Sequence, residues 1–316
     1  MIKRCGLALL FIAVLAVPAF AQLACAALTI VAPFPPGSNT DAIARLVGER
    51  ASETLRRPVI VDNRPGAEGQ LAAVEVRRAP PDGCRVLFAT SGNLSILPYI
   101  RREPPYDPLR DFTPIAEIGR YIFFLFASPA LPGDVPSFVA AASARPGAFN
   151  FATANNTNLL AFAEIQRQFG LRFERVTYRG EPAAMTDLMQ DRVQAMVATS
   201  LGVPHAREGR IRALAVLLPE RSPLMPEVPT FAEAGIRDLG IVPWAGFVGP
   251  AGMAQPVADM LSEVLVGAME RTDVRDRAAG LGFTIAPARA APFARLIREQ
   301  HEVYGRVIRD VGLPAE

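Results

Sequence analysis

The amino-acid sequence predicts an α/β protein with parallel-rich sheets, and two observations indicate this. Short apolar runs alternate along the chain with stretches whose apolar residues recur at helical spacing, a pattern typical of sheets covered by helices. Half of the 316 residues are hydrophobic and a fifth are charged, which is a globular composition. Setting aside residues 1–27 as a targeting segment leaves 289 of the 316 residues, enough for about two domains.

The elements follow in order along the chain. Apolar runs bounded by turn residues predict strands at 28–32, 59–61, 86–89, 121–127, 149–152, 173–178, 195–198, 212–218 and 244–248. Apolar residues at helical spacing predict helices at 43–55, 70–78, 136–144, 157–169 and 182–190, then a mainly helical tail over 256–310. No flexible linker separates two halves, so we expect the chain to cross between domains along strands.

The N-terminus has the pattern of a secretory signal peptide. Lys3 and Arg4 form a positive segment, and an uncharged, mostly apolar run over 6–17 follows. Cleavage is expected after Ala21 or near Ala27, which places the mature protein in the periplasm.

The sequence does not decide whether the cysteines form a disulfide. A lipid anchor at Cys25 is not expected, because Gln22 stands where such signals carry an aliphatic residue. If cleavage removes Cys25, Cys84 is the sole thiol and no intramolecular disulfide forms. In that case we expect Cys84 to be a small apolar residue within a strand.

Scarce residues exclude several functions. Lys3 is the only lysine, so the mature chain has no Schiff-base or phosphate-loop lysine. His205 and His301 are the only histidines and lie far apart, which excludes a multi-histidine metal site and argues against a serine hydrolase. Beyond residue 27, 31 basic residues balance 31 acidic residues, so the overall basic field of a nucleic-acid binder is missing. We expect no metal and no cofactor.

The first candidate binding motif is a proline-rich loop between a predicted strand and a predicted helix. Ser38 and Asp41 have the spacing of a capping box, and the free amides of a helix start favour an anion. A structural cap without a ligand is the alternative. The candidate ligand-binding residues here are Phe34, Pro35, Gly37, Ser38, Asn39 and Thr40.

Further polar loops follow predicted strands at their C-terminal ends, where open α/β sheets bind ligands. Hydroxyls and carboxamides without charge clusters favour hydrogen-bonding recognition over catalysis. Arg179 is expected to pair with a ligand carboxylate, or else to be exposed or paired with Glu181. The candidates in these loops are Ser91, Gly92, Asn93, Thr153, Ala154, Asn155, Asn156, Thr157, Tyr178, Arg179, Gly180 and Thr199.

Many short motifs occur in a fixed order along the chain. They include Pro33-Phe34-Pro35-Pro36-Gly37 with Asp41, Asp62-Asn63-Arg64-Pro65-Gly66, Pro81-Asp82-Gly83, Tyr178-Arg179-Gly180 and Val228-Pro229-Thr230. From residue 28 to residue 316 the sequence resembles the solute receptors of tripartite tricarboxylate transporters, also called Bug-type periplasmic binding proteins.

The resemblance implies a type II-like periplasmic binding protein with two lobes and two hinge-crossing strands. Residues 121–127 and 244–248 match the crossings, so lobe one is expected at 28–124 plus 245–316 and lobe two at 125–244. Such a receptor captures a small carboxylate without changing it and closes around it by hinge motion. We expect a monomer, with membrane permease subunits as further partners.

Two alternatives remain. One is a receptor of the same fold that serves a sensor. The other is a periplasmic hydrolase that uses Ser91 or Ser200 with His205.

The expected roles follow from the resemblance and its departures. The loop over 34–40 holds a carboxylate at a helix N-terminus, Ser91 and Asn93 bond its opposite face, and Asp41 is structural. Where the family carries a glycine-rich loop, this chain has larger side chains, including Asn156 and Thr157, so we expect a narrower pocket. That disfavours a tricarboxylate and keeps amides, amino acids and aromatic acids as candidates.

Overall fold

A computed structural model of the chain describes residues 23–237 and 239–315. These residues form two sheets covered by helices, which confirms the predicted two-lobed α/β class. The first sheet contains, in spatial order, β11 (Phe283–Arg289), β4 (Phe112–Tyr121), β10 (Trp244–Pro250), β3 (Arg85–Thr90), β1 (Leu28–Ala32) and β2 (Val59–Asn63). The second contains β7 (Phe173–Thr177), β6 (Phe149–Thr153), β8 (Ala195–Thr199), β5 (Phe123–Ala127) and β9 (Arg212–Val216).

Helices cover both sheets. On the first helix, Ile43, Leu46 and Val47 are buried at the spacing that the sequence predicts, so an apolar stripe faces the core. The helices are α1 (Asn39–Leu55), α2 (Gln70–Arg77), α3 (Val135–Ser143), α4 (Asn156–Phe169), α5 (Glu181–Met189), α6 (Val203–Arg207), α7 (Gln255–Glu270), α8 (Thr272–Gly280) and α9 (Ala290–Val311).

The sheets are mixed, which corrects the expectation of parallel-rich sheets. Of the nine strand pairings described, four are parallel and five are antiparallel. β5 enters the second sheet directly from β4, and it runs against β8. β10 in the first sheet likewise runs against β3. A strand that starts at the interlobe side of a sheet runs antiparallel to the strands of that sheet that end at the interlobe side.

The chain changes sheets at two adjacent points. Tyr121 ends β4, Phe123 begins β5, and the predicted single strand over 121–127 is therefore divided at Ile122. The chain comes back to the first sheet at Pro243. The carbonyl of Pro243 accepts a hydrogen bond from the backbone amide of Tyr121 at 2.9 Å. The predicted strand at 244–248 lies wholly in the first sheet. The residue boundaries of the two lobes stay a prediction.

The C-terminal part is mainly helical, as predicted, but it also contains β11 between α8 and α9. This strand pairs antiparallel with β4 at the sheet edge, with a register shift between Ile285 and Ala288. Pro287 falls within that shift, and proline is tolerated in edge strands and bulges. The sequence does not predict this strand, because it contains a proline and its alternation of apolar and polar residues is short.

Two cysteines of the first lobe form a disulfide. Cys25, which precedes β1, is bonded to Cys84, which precedes β3. Cys84 is therefore bonded in a chain that retains Cys25, and it would be a sole thiol only if cleavage removed Cys25. Residues 1–22 of the predicted signal segment, including Ala21, lie outside the described residues.

Within residues 23–237 and 239–315, each helix is too short or too polar to cross a bilayer.

Candidate functional site

The cleft between the two lobes contains a small, partly enclosed cavity of about 40 Å³. It lies where β1, β3, β6 and β8 end, and open α/β sheets bind their ligands at such ends. The described lining residues are Phe34, Ser38, Asn39, Thr40, Thr90, Ser91, Gly92, Tyr121, Phe123, Ala154, Asn155, Thr157, Glu181, Thr199 and Pro243.

The loop between β1 and α1 presents backbone amides to this cavity. Ser38 has an extended backbone and caps α1, and its hydroxyl accepts the amide of Asp41 at 3.2 Å. Asn39 and Thr40 are the first two helical residues, so their amides have no acceptor within the helix. Because a helix N-terminus carries partial positive charge, these two amides suit a carboxylate.

Asp41 is buried beneath this loop and holds it in place. Its carboxylate accepts the Gly37 amide and the Asn63 carboxamide, each at 3.0 Å, and lies 2.9 Å from the guanidinium of Arg45. Burial by itself raises the pKa of Asp41, but the hydrogen bonds that it accepts, that of Arg45 first, outweigh burial and leave the pKa below its ordinary value. These contacts support the structural role expected for Asp41.

The loop after β3 brings Ser91 and Gly92 to the cavity, whereas Asn93 is completely buried beneath it. The carboxamide oxygen of Asn93 accepts the Thr90 amide at 2.9 Å. The backbone oxygen of Asn93 accepts the hydroxyl of Tyr106. Asn93 therefore orders this loop from below.

The loop before α4 contributes from the second lobe. Asn155 and Asn158 form a capping box, in which each side chain accepts the backbone amide of the other at 2.8–2.9 Å. The Asn156 carboxamide donates across the cleft to the carbonyl of Gly92 at 2.9 Å. This loop thus joins the two lobes at the cavity.

A buried carboxylate that sequence reasoning missed completes the second-lobe side. Glu181 is the first residue of α5 and lines the cavity. It accepts the carboxamides of Asn155 (3.0 Å) and Asn158 (3.2 Å). It also accepts the amide and the hydroxyl of Thr199. Arg179 is exposed and is not among the described partners of Glu181, so the alternative that these two residues pair is wrong.

The charge state of Glu181 reflects two opposing effects. Burial raises the pKa of Glu181 above its ordinary value. The four donors that surround the carboxylate, from Thr199, Asn158 and Asn155, favour its ionised form. Every described hydrogen bond of this carboxyl group is one that it accepts, so the geometry fits a carboxylate in the wall of the cavity.

Tyr121 faces Glu181 from the first lobe. Its hydroxyl lies 2.8 Å from that of Thr40, so both belong to one hydrogen-bonded pair in the cavity wall. Burial raises the pKa of Tyr121, the hydrogen bond with Thr40 opposes this rise, and the negative charge of Glu181 adds to it. Tyr121 and Glu181 therefore line the same cavity from opposite lobes.

The loop before α5 lies beside the cavity. Tyr178 and Arg179 line a neighbouring space of about 360 Å³. The Tyr178 hydroxyl donates to Asp187 at 2.8 Å. A Cβ on Gly180 would lie 2.6 Å from Cγ of Pro35, so only glycine allows the loops of the two lobes to approach this closely.

The structure brings together ten of the predicted binding residues at the cavity: Phe34, Ser38, Asn39, Thr40, Ser91, Gly92, Ala154, Asn155, Thr157 and Thr199. It places the others behind or beside the cavity: Pro35, Gly37, Asn93, Thr153, Asn156, Tyr178, Arg179 and Gly180. Sequence reasoning missed the lining residues Thr90, Tyr121, Phe123, Glu181 and Pro243. The sequence could have indicated Glu181 as a site residue, because it begins a helix directly after a polar loop motif.

The geometry offers the hydrolase alternative no support. The Ser200 hydroxyl accepts the Asn39 carboxamide at 3.1 Å and donates to the carbonyl of Leu281, so it connects the lobes. His205 belongs to α6 and is not among the described lining residues. No described hydrogen bond joins it to either serine, and a serine nucleophile needs a base within hydrogen-bond reach.

Comparison with known proteins agrees with this fold. The sequence model of the tripartite tricarboxylate transporter family receptor (TctC) matches residues 43–313. BugT of Bordetella pertussis (strain Tohama I) is 30% identical over 292 residues, covering 90% of this chain and 88% of BugT.

Two solved structures were determined with acids. MatC from Rhodopseudomonas palustris, with bound malate, has a TM-score of 0.84 and 29% identity, covering 89% of this chain and 98% of MatC. Rpa4515 of R. palustris, with adipate, has a TM-score of 0.86 and 26% identity, covering 90% of this chain and 97% of Rpa4515. Since the family model matches most of the sequence and the fold agrees along nearly the whole length, the chain belongs to the tripartite tricarboxylate transporter family receptors.

Proposed function

We propose that this protein is a periplasmic receptor that captures a small carboxylate between its lobes and delivers it, unchanged, to the membrane permease of a tripartite transporter. The predicted signal peptide supports export to the periplasm. MatC with malate and Rpa4515 with adipate support an acid as the ligand. The lobe contacts support closure around the ligand by hinge motion.

One observation carries this proposal. The N-terminus of the 17-residue helix α1 opens into the interlobe cavity, and the amides of Asn39 and Thr40 are without acceptors in the helix. Rigid amides and a helix dipole bind a carboxylate without a basic side chain. Residues of the second lobe close the opposite side, so a ligand held there contacts both lobes.

The test removes a single backbone donor. Asn39 is the first residue of α1, a position that accepts proline, and the extended backbone of Ser38 suits a residue before proline. Asn39→Pro and Asn39→Ala both lose the carboxamide that bonds Ser200, but only the proline variant loses the amide N–H. We expect the proline variant to bind acids about tenfold or more weakly than the alanine variant, as for one charge-assisted hydrogen bond.

The measurement is isothermal titration calorimetry, after a thermal-shift screen of small acids has found a ligand. A ligand at 100 times its dissociation constant adds about 2.7 kcal/mol to stability, which raises the unfolding temperature by several degrees. Equal affinities of the two variants would remove the α1 amides from the site. Recovery of the ligand unchanged supports a receptor, and conversion to a product supports the hydrolase alternative.

A further inference from the structure

The cavity has an uneven distribution of charge. Glu181 is the one acidic residue among the described lining residues, and no lysine, arginine or histidine accompanies it there. On the first-lobe side, the backbone amides at the start of α1 contribute a positive potential. The second-lobe side carries the negative group instead.

Glu181 also uses the donors that the second lobe would otherwise present to a ligand. The carboxamides of Asn155 and Asn158, together with the amide and hydroxyl of Thr199, all donate to this one carboxylate. A second carboxylate arriving at this wall would meet a like charge and would find these donors occupied. Like-charge juxtaposition in a buried interface is strongly unfavourable.

Some of the other wall residues are apolar. Phe34, Phe123, Ala154 and Pro243 line the same cavity. Such walls gain from contact with an aliphatic chain or an aromatic ring. The cavity thus combines a helix start that suits an anion with apolar wall residues and a buried carboxylate.

We propose that Glu181 makes this receptor selective for a monocarboxylate whose far end is a neutral or cationic hydrogen-bond donor, such as an amide or an ammonium group, and that it rejects dicarboxylates. This inference rests on the proposed capture of a carboxylate at α1. It separates the chain from MatC and Rpa4515, which were solved with the dicarboxylates malate and adipate.

The experiment compares pairs of acids that differ only at the far end. Calorimetry on the wild-type protein uses succinate, adipate and terephthalate against their monoamides succinamate, adipamate and 4-carbamoylbenzoate, with 6-aminohexanoate as the cationic probe. We expect at least one monoamide or ammonium acid to bind, and its dicarboxylate partner to bind about tenfold or more weakly. Equal or tighter binding of the dicarboxylates overturns the selectivity but leaves carboxylate capture intact. Binding of none of these acids overturns both proposals.

The variant Glu181→Gln assigns the selectivity to this residue. It removes the charge and keeps the side-chain length, so we expect the preference for the monoamide over its dicarboxylate to fall by about tenfold. Glu164→Gln is the matched control, because Glu164 is equally buried but pairs with Arg167 on α4, away from the cavity. An unchanged preference in a folded Glu181→Gln variant overturns the assignment. If that variant does not fold, the wild-type pairs decide the proposal.

Discussion

Single buried polar residues set the shape of the binding loops. Asp41 shows this most directly, since one carboxylate accepts the amide of Gly37 and the side chain of Asn63 and pairs with Arg45. It thereby joins the first loop to β2 and to α1 itself. Asn93 has a similar role under the second loop, where its carboxamide oxygen receives the Thr90 amide. These accepted hydrogen bonds fix the backbone of the two loops at Gly37 and Thr90.

We expect Asp41→Asn to lower the free energy of unfolding by about 1–3 kcal/mol at neutral pH, because the buried donors around Asp41 lose their charged acceptor. The lowered pKa of Asp41 means that the folded state binds this proton less readily than the unfolded state. Its stabilisation is therefore full above the pKa of an unfolded aspartate, about 4, and is lost as the pH falls through the lowered pKa. Urea unfolding at a series of pH values measures both effects.

The control for Asp41 is Asp276→Asn, at an exposed position on α8. It should leave the acid dependence of stability unchanged, whereas Asp41→Asn should flatten it. The same acid dependence in the Asp41 variant and the wild-type protein would contradict the structural role of this carboxylate.

At the scale of elements, the site is an assembly of helix starts. α1, α4 and α5 all begin at the cavity, and they follow β1, β6 and β7 in turn. Their dipoles make the cleft favourable for negative charge. Glu181 satisfies that preference within the second lobe, and the start of α1 is left for a ligand. The disulfide also connects two elements. Cys25 and Cys84 precede β1 and β3, which pair in parallel.

We expect Cys84→Ser to lower the stability of the mature protein by about 2–4 kcal/mol, because the bond closes a long loop and restricts the unfolded chain. Urea unfolding with and without a reducing agent measures this loss. The reductant should bring the wild-type protein to the level of the variant and should not affect the variant.

The same bond bears on signal cleavage. Intact mass should show that the exported chain begins after Ala21 and retains Cys25, with the two cysteines oxidised. A mature chain that begins after Ala27, or unchanged stability on reduction, would contradict the role of this disulfide.

At the scale of the whole molecule, the lobes are in contact across the cleft. Asn156 donates to Gly92 at 2.9 Å, Asn39 donates to Ser200 at 3.1 Å, and Arg175 lies 3.3 Å from Glu68. The two crossings at Ile122 and Pro243 lie side by side, so the lobes share one narrow connection. These polar contacts join the lobes, and a ligand that adds contacts to both lobes favours closure.

We expect Asn156→Ala to weaken ligand binding about tenfold, because the closed form loses a direct contact between the lobes and becomes less populated. Thr157→Ala, at a lining residue of the same loop, should weaken binding as well. Calorimetry measures the affinities, and small-angle scattering of the unliganded protein should show a larger radius for Asn156→Ala.

Ser137→Ala, at an exposed position on α3, is the control and should bind as the wild-type protein does. Wild-type affinity in both Asn156→Ala and Thr157→Ala would exclude this loop from the site.

Most of the helices and strands could be predicted from the sequence, because they depend on local pattern. The apolar spacing of Ile43, Leu46 and Val47 is visible without a structure, and it forms the buried face of α1. β11 could not be predicted, because it contains Pro287 and forms only by pairing with β4. The mixed direction of the sheets escaped prediction for a related reason, since it depends on where the chain crosses between lobes.

The sequence by itself determined the α/β class, the polar loops at the strand ends and the resemblance to solute receptors, because each depends on short-range residue pattern. Only the tertiary structure decided which loop residues face the cavity. Asn93 lies beneath it and Glu181 lines it, although both belong to polar loops. The fold also decided that Cys25 meets Cys84. A side chain's direction and its partner depend on residues distant in sequence, and packing alone brings those residues together.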